Sequence, residues 1–441
     1  MTANEPKVAL ARRLGLFDAT MLVMGGIIGA GIFINPSVVA RQVAAPWAII
    51  AAWLVGGMVA LAGAFIYAEL ATRRPEVGGQ YAYLREAFHP LVAFLYGWTL
   101  LLVMQSGGLA AVAATFAHYF VELFALALPS WLVASVALAC LTAINCLGVR
   151  AGSTTQNVLM TLKIGAIFVL IACGLLFAPK APPEAESVAR EASKFKLATD
   201  FGAALVPVFF AYGGWQTAGF VAGELRHPER DLPRGLLIGV ACVIVIYTTV
   251  SFVCLHVLGA RGLMVTNTPT SEVMRAALGS TGARLIAIGI AISTLGLLSQ
   301  GMLTVPRVYF AMAEDGLFFR RVREVHPRTR VPVFAILLQG LWAIVIVASG
   351  RYEQILNYVV SVDALWFGLT AVALFVFRQR APAASSSYSV PGHPWTTLFF
   401  IAVCWLVVAS ALYKYPRDGF IGLLVLFAGV PVYFLWQGRR S

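Results

Sequence analysis

Met24-Gly25-Gly26-Ile27-Ile28-Gly29-Ala30-Gly31-Ile32-Phe33 lies in the middle of the first long apolar segment of the chain. Glycine costs a helix interior about 1 kcal/mol against alanine, and Gly25, Gly26, Gly29 and Gly31 crowd into this one stretch. Unwound backbone in bare lipid leaves N–H and C=O groups without partners. A break here is therefore stable only where protein covers it or a cavity wets it. Two readings compete for the stretch. Gly25 and Gly29 form a GxxxG pair suited to close helix packing, and the same glycines suit a discontinuous span that builds a binding site at membrane depth.

The surroundings favour the membrane. The chain has 441 residues, 60% of them apolar and 12% charged, with a mean hydropathy of +0.82. That apolar share is far above a soluble domain's and implies an all-α polytopic membrane protein. The first fifteen residues are polar and basic, and the apolar segment behind them is too long for a signal peptide, so it is expected to stay in the mature protein. Windows of about 20 apolar residues predict twelve spans, at 16–41, 46–71, 88–117, 130–148, 155–178, 199–224, 235–258, 283–312, 332–349, 354–378, 395–414 and 419–437. With the N-terminus inside, cytoplasmic segments hold the larger share of the 32 Lys and Arg. The positive-inside rule then puts both termini in the cytoplasm. The outer loop 179–198 runs against the trend with Lys180, Arg190, Lys194 and Lys196, and Glu184, Glu186 and Glu191 suit it to a short amphipathic helix. The six cysteines fall in or at the ends of apolar spans with no CxxC pair, and read as buried thiols rather than a disulfide framework.

Spans one to five (16–178) and six to ten (199–378) make two halves of five. An odd number of spans per half inverts one half relative to the other. Span six carries its own interruption, Ala211-Tyr212-Gly213-Gly214-Trp215-Gln216, at the place corresponding to the break in span one. Paired glycine interruptions in corresponding spans point to a midplane site between inverted repeats, and the packing reading recedes. The expected organisation is a cytoplasmic segment 1–15, a first repeat 16–178, an extracytoplasmic loop 179–198, a second repeat 199–378, a cytoplasmic loop 379–394, two further helices over 395–437 and a tail 438–441.

Several motifs in order carry a resemblance. Gly25-Gly26-Ile27-Ile28-Gly29-Ala30-Gly31-Ile32-Phe33 resembles the first-helix motif of the amino acid–polyamine–organocation (APC) superfamily. Tyr67-Ala68-Glu69-Leu70 with Pro75-Glu76-Val77-Gly78-Gly79-Gln80-Tyr81 resembles its signature between the second and third helices. Phe210-Ala211-Tyr212-Gly213-Gly214-Trp215, Glu224 and Asp231-Leu232-Pro233-Arg234 are similar to the L-type amino-acid transporter branch and its bacterial relatives. The resemblance implies a LeuT-type five-plus-five inverted repeat followed by two C-terminal helices, in the bacterial inner membrane. It also implies sodium-independent amino-acid transport by alternating access, often as exchange.

Roles follow from the resemblance by position. Backbone N–H groups around Gly29, Ala30 and Gly31 would hold a substrate carboxylate, which agrees with the open donors and positive dipole at a helix start. Carbonyls near Ile27, Phe210, Ala211 and Gly213 would receive the α-ammonium, and Phe210 would close over the substrate. Lys163, about eight residues into span five, would stand where sodium-coupled relatives bind a sodium ion, tying span five to the break in span one and to span eight through Ser293 or Ser299. The competing expectation is a lysine that snorkels to the interface. Asp363 is a second deep charge, read evenly as functional (a proton carrier, a substrate contact or part of the outer vestibule) or as a structural carboxylate bonded to backbone or hydroxyl groups. Glu69, Glu224 and Asp231 stand near arginines at span ends, where solvated charges are the default and a gate of salt bridges is the alternative.

Two departures from the family stand out. Ala30 replaces the branch's common serine, and the loop 118–129 lacks the cysteine that pairs with a glycoprotein subunit, so no disulfide-linked heavy subunit is expected. Gln105, Ser106, Gln216, Ser293 and Trp366 are the selectivity candidates, and with Asp363 the only charge beside them, a neutral L-amino acid is favoured. The runner-up is a proton-coupled symporter or an exchanger of cationic amino acids or polyamines, which would need Asp363 to face the site. No HExxH, clustered histidines or GxSxG elbow is present, so no enzyme, metal or cofactor is expected, and nucleic acid is not a partner.

Overall fold

The computed structural model describes residues 10–43, 45–181, 194–350, 352–380, 388–414 and 416–437. Among them the backbone is helical, with an isolated bridge between Leu14 and Leu225 in place of any strand. The amphipathic helix expected in the outer loop falls largely on residues 182–193, which, with the terminal segments 1–9 and 438–441, lie outside the described residues.

The first apolar segment is broken where its glycines concentrate. Helix α1 (Leu16–Ile27) ends in extended backbone at Ile28, and α2 (Gly31–Gln42) begins after Ala30. The two pieces are bent by 44°. A long straight helix, α3 (Pro46–Arg73), and a short one, α4 (Gln80–Ala87), follow. The third span runs as α5 (Pro90–Thr99), a π-helical turn at Leu100–Met104 and α6 (Gln105–Phe124). Then come α7 (Ser130–Cys146) and α8 (Val149–Leu176), the latter starting six residues before the hydropathy window that predicts it, because Gln156, Asn157 and Arg150 dilute the apolar signal without breaking the helix.

The second interrupted segment is α9 (Lys194–Ala211), a turn through Gly214, and a 3₁₀ helix over Trp215–Glu224. Its second half is 3₁₀ rather than α-helical. The remaining elements are α10 (Pro228–Val265), α11 (Pro269–Thr304), α12 (Pro306–Glu314), α13 (Val333–Ala348), α14 (Tyr352–Arg380), α15 (Trp395–Lys414) and α16 (Pro416–Gln437).

Among the described residues, eight helices are long and apolar enough to cross a membrane, or nine with α1 and α2 as one broken span. α7 and α13 are shorter apolar helices. Large apolar side chains such as Phe168, Leu176, Leu341, Val345, Leu406 and Phe427 point outward, on a surface where a soluble protein carries charge and lipid is the natural solvent. The protein is a polytopic helical membrane protein. The cysteines are all free, but only Cys173, Cys254 and Cys404 are buried; Cys140 and Cys242 lie on the outer helix surface, where a thiol costs no more than another small apolar group.

Candidate functional site

The two interruptions meet. A Cβ built on Gly26 would lie 2.5 Å from Gly214 O, and one on Gly214 would lie 2.1 Å from Gly26 O. The backbones touch directly, which only glycine permits on either side. On the other flank of the break a Cβ on Gly31 would come 3.8 Å from Ala211 Cα. Gly25 and Gly29 do not form one packing seam. Gly25 faces Gln156 of α8 and Gly29 faces Leu297 of α11, as befits residues on either side of a break.

Unwinding orphans the carbonyls that a continuous helix would satisfy, and each needs a partner at this depth. Three consecutive carbonyls find one on three different helices. Ile27 O accepts from the Tyr247 hydroxyl of α10 at 3.0 Å. Ile28 O accepts from Lys163 Nζ of α8. Gly29 O accepts from Ser293 Oγ of α11 at 3.1 Å. Among the described residues, the N–H groups of Ala30, Gly31 and Ile32 donate to no protein group. They point from the first turn of α2, so the break presents open donors at a helix start, the ordinary chemistry for a carboxylate.

Lys163 is 0% exposed, so it does not snorkel. Its ammonium also packs against α11, where a Cβ on Gly296 would lie 3.2 Å from Nζ. The expected link through Ser293 or Ser299 is different in kind: Ser293 caps the neighbouring carbonyl, and Ser299 Oγ is buried with no hydrogen-bond partner.

The carbonyls expected to receive an ammonium are divided. Ile27 O is taken by Tyr247, and Phe210 O accepts from Gly213 N at 3.0 Å. Ala211 O, at the end of α9, accepts no hydrogen bond among the described residues. The Phe210 ring is half-buried and lies edge-on to Phe209 at 6.2 Å. Gln216 is buried in the 3₁₀ segment with Oε1 unpartnered.

Two selectivity candidates are committed elsewhere. Ser106 Oγ donates to Leu101 O at 2.5 Å and accepts from Gln339 Nε2 at 2.9 Å, while Tyr309 donates to Gln339 Oε1. It is part of a bridge from α6 to α13. Trp366 donates to Thr99 Oγ1 at 3.0 Å, its carbonyl accepts from Gln80 Nε2 at 3.1 Å, and its ring meets Tyr96 edge-on at 5.5 Å. It locks α14 to α4 and α5 rather than walling the break. Gln105 stays partly exposed, just after the π-helical turn. Asp363 lies near Tyr67, Tyr96 and Cys404.

Glu69 and Glu224 are not solvated as expected, whereas Arg226, Arg230 and Arg234 are exposed. Glu69 is 0% exposed and receives Arg73 at 2.8 Å, Arg378 at 2.6 Å and the Val390 N–H at 2.8 Å. Glu224 and Arg307 are both 0% exposed and pair at 3.0 Å. The Glu224 carbonyl also accepts from Arg13 N and Leu14 N at 2.9 and 3.0 Å. Burial of a carboxylate is tolerated only with such pairing. Arg307 is not among the expected site residues, although a charge inside the 283–312 window is a signal for it. Tyr247 is not among them either, and nothing in the pattern of α10 distinguishes it from a packed aromatic. Among the described residues no group of three or more His, Cys, Asp or Glu could hold a metal.

The family model described as "Amino acid permease" matches residues 14–434. The chain is 30% identical over 436 residues to the serine/threonine exchanger SteT of Bacillus subtilis (strain 168), covering 98% of each. It is 28% identical over 446 residues to the large neutral amino acids transporter small subunit 2 of Oryctolagus cuniculus, covering 98% of this chain and 82% of that one. The human cystine/glutamate transporter is 27% identical over 441 residues, with 98% of this chain and 87% of the other covered. The chain therefore belongs to the amino acid permease family of the APC superfamily, in its L-type branch.

Proposed function

We propose that this protein is a sodium-independent exchanger of neutral L-amino acids that works by alternating access around the meeting point of its two broken spans. The observation that carries the reading is the asymmetry of the break in span one. Its carbonyls at 27, 28 and 29 are each capped by a side chain, while the N–H groups of Ala30, Gly31 and Ile32 stay open. An anionic group is what such a surface takes, and the end of α9, with Ala211 O open, is the matching place for an ammonium. These two ends have the polarity that the carboxylate and ammonium of a zwitterion require.

Exchange rather than another transport mode follows the relatives, one of which is an exchanger by name. Neutral substrates fit both the names of two relatives and the local charge balance, since the Lys163 ammonium is spent on Ile28 O and Asp363 keeps company with tyrosines. Lys163 supplies a fixed cation against the unwound carbonyls, the service a sodium ion would otherwise perform. Phe210, next to Ala211 at the end of α9, covers the substrate in this reading.

The same reading extends to topology. The eight long helices, the broken α1–α2 pair, α9 with its 3₁₀ continuation, and the shorter α7 and α13 together account for twelve spans in a five-plus-five inverted repeat with two further helices. Both termini are cytoplasmic, and the domain boundaries are those expected from the sequence. No heavy subunit is disulfide-linked, because the loop 118–129 has no cysteine.

The test is counterflow in proteoliposomes, with no sodium and no pH gradient. Labelled L-alanine or L-serine should accumulate in vesicles preloaded with neutral amino acids and stay near background in empty ones. Equal uptake into both would reject exchange, and uptake only of lysine or putrescine would reject the neutral substrate.

A further inference from the structure

At the junction of α7 and α8 the fold gathers positive charge around a cavity of about 150 Å³. Arg13 of the segment before α1, Arg150 in the first turn of α8, and Arg328 and Arg330 of the loop before α13 line it, with Leu147 and Gly148 at the junction itself. Among the described residues no acidic side chain lines the cavity, and none of the four guanidinium groups makes a hydrogen bond or ion pair with the protein. Other arginines of this chain are answered by carboxylates, as Arg85, Arg307 and Arg378 are. Four like charges facing one space repel one another, and an anion between them turns that repulsion into attraction.

The walls are fixed by backbone. A Cβ on Gly148 would lie 3.3 Å from Thr329 O, so the loop with Arg328 and Arg330 rests directly on the start of α8. The loop is held in turn by the Arg330 N–H on His326 O at 2.9 Å and the Thr329 N–H on His326 Nδ1 at 3.2 Å. On the opposite wall the Arg13 N–H is anchored on Glu224 O. Two apolar faces lead to this place. Leu147, 70% exposed, continues the outward face of α7 that carries Val136 and Cys140. Arg150 is exposed and shares one face of α8 with Phe168, five turns further on and also exposed. Lipid chains are the natural solvent of those faces, and the arginines stand where the faces end.

We infer that this cavity binds the phosphate headgroup of an anionic phospholipid whose acyl chains lie along the outward faces of α7 and α8. A guanidinium fork meets phosphate oxygens with paired N–H donors, and a basic pocket between spans at the membrane surface is the ordinary chemistry for such a headgroup. A soluble phosphate would meet the same arginines but would use none of the apolar surface that begins at Leu147. Bound there, the lipid ties the N-terminal segment to α8 and to the loop before α13. The topology proposed above places the site in the cytoplasmic leaflet, while the site itself does not depend on the transport reading.

Arg150→Gln combined with Arg328→Gln tests this, with Arg13→Gln and Arg330→Gln as the second pair should the first not fold. The thermal midpoint of the full chain in neutral detergent is titrated with short-chain phosphatidylglycerol, with phosphatidylcholine and with inorganic phosphate. Phosphatidylglycerol should raise the wild-type midpoint saturably. Each lost arginine should weaken that effect about fivefold, so the double variant should need on the order of 25 times more lipid. Arg226→Gln with Arg230→Gln is the control: Arg226 lies close by, its N–H on Leu14 O, yet neither residue lines the cavity. It removes the same charge and should shift the lipid requirement by no more than about twofold. Without lipid, the midpoint of the first pair should not fall, because neither side chain has a partner to lose. Equal weakening in both pairs would reduce the effect to net charge and overturn the site. So would equal stabilisation by phosphatidylcholine, or a lower lipid-free midpoint, which would make the arginines structural. Stabilisation by inorganic phosphate at the same concentrations, lost in the same variant, would overturn the lipid as occupant.

Discussion

Gly214→Ala is the sharpest perturbation of the meeting between the two breaks. Gly214 has φ +101° and ψ −14°, a left-handed conformation that costs a residue with a Cβ about 1–2 kcal/mol. The new methyl would lie 2.1 Å from Gly26 O, where ordinary contact begins near 3.4 Å. The obstacle is a backbone carbonyl with no rotamer to change, so the two segments must part by more than 1 Å. Overpacking of this kind adds about 1–3 kcal/mol, for a total of about 2–5 kcal/mol. The parting also strains the Thr217 bond to Gly214 O, now 2.6 Å. Purified protein should lose on the order of 5 °C in thermal midpoint, and exchange in proteoliposomes should fall at least tenfold. Gly165→Ala is the control. Nothing lies within 4 Å of its Cβ in α8, and the helix gains up to about 1 kcal/mol, so its midpoint and exchange should match or exceed wild type. A Gly214→Ala protein with the wild-type midpoint and rate would refute the claim that the breaks touch.

Other substitutions test the remaining parts. Lys163→Met should abolish exchange while the protein still elutes as a single species, because Ile28 O loses its cap but no buried charge is left behind; wild-type flux would mean the ammonium has no part in the site. Arg307→Met should destabilise by about 3–5 kcal/mol through the unpaired Glu224 carboxylate, and adding Glu224→Leu should recover most of the loss, read as thermal midpoints in a double-mutant cycle. If the double variant is as unstable as the single, the pair is not what holds the end of the 3₁₀ segment to the start of α12. Gly31→Leu sets a side chain against Ala211, whose Cα its Cβ would meet at 3.8 Å, and should block exchange of every amino acid alike; selective loss for large substrates only would move the carboxylate site away from Gly31.

Much of the architecture was legible because membranes reward simple patterns. Apolar windows located the helices, and the glycines at 25–31 and 213–214 located both interruptions to within a residue or two, since in lipid a glycine cluster is either a close contact or a break. Here it proves to be both: Gly26 and Gly214 are glycine because the breaks touch. The depth of Lys163 was also readable from its place in span five. What the sequence did not carry was partner choice. That Tyr247 rather than a serine would cap Ile27 O, or that Glu224 would find Arg307 rather than the nearby Arg226 or Arg230, depends on how helices distant in the chain are turned toward each other. Ser106 and Trp366 show the same point in reverse. Both fall at plausible depth for a selectivity wall, and both are turned into hydrogen-bonded bridges between α6 and α13 and between α14 and α5. The register of α14 against its neighbours decided that, and a single sequence contains no signal for it.

The most direct test of the account is a cryo-electron microscopy map of the protein with a neutral amino acid bound. The account predicts the substrate carboxylate within hydrogen-bond distance of the N–H groups of Ala30, Gly31 and Ile32, its ammonium toward Ala211 O, and Lys163 still on Ile28 O. Density for the amino acid beside Asp363, away from both breaks, would contradict it.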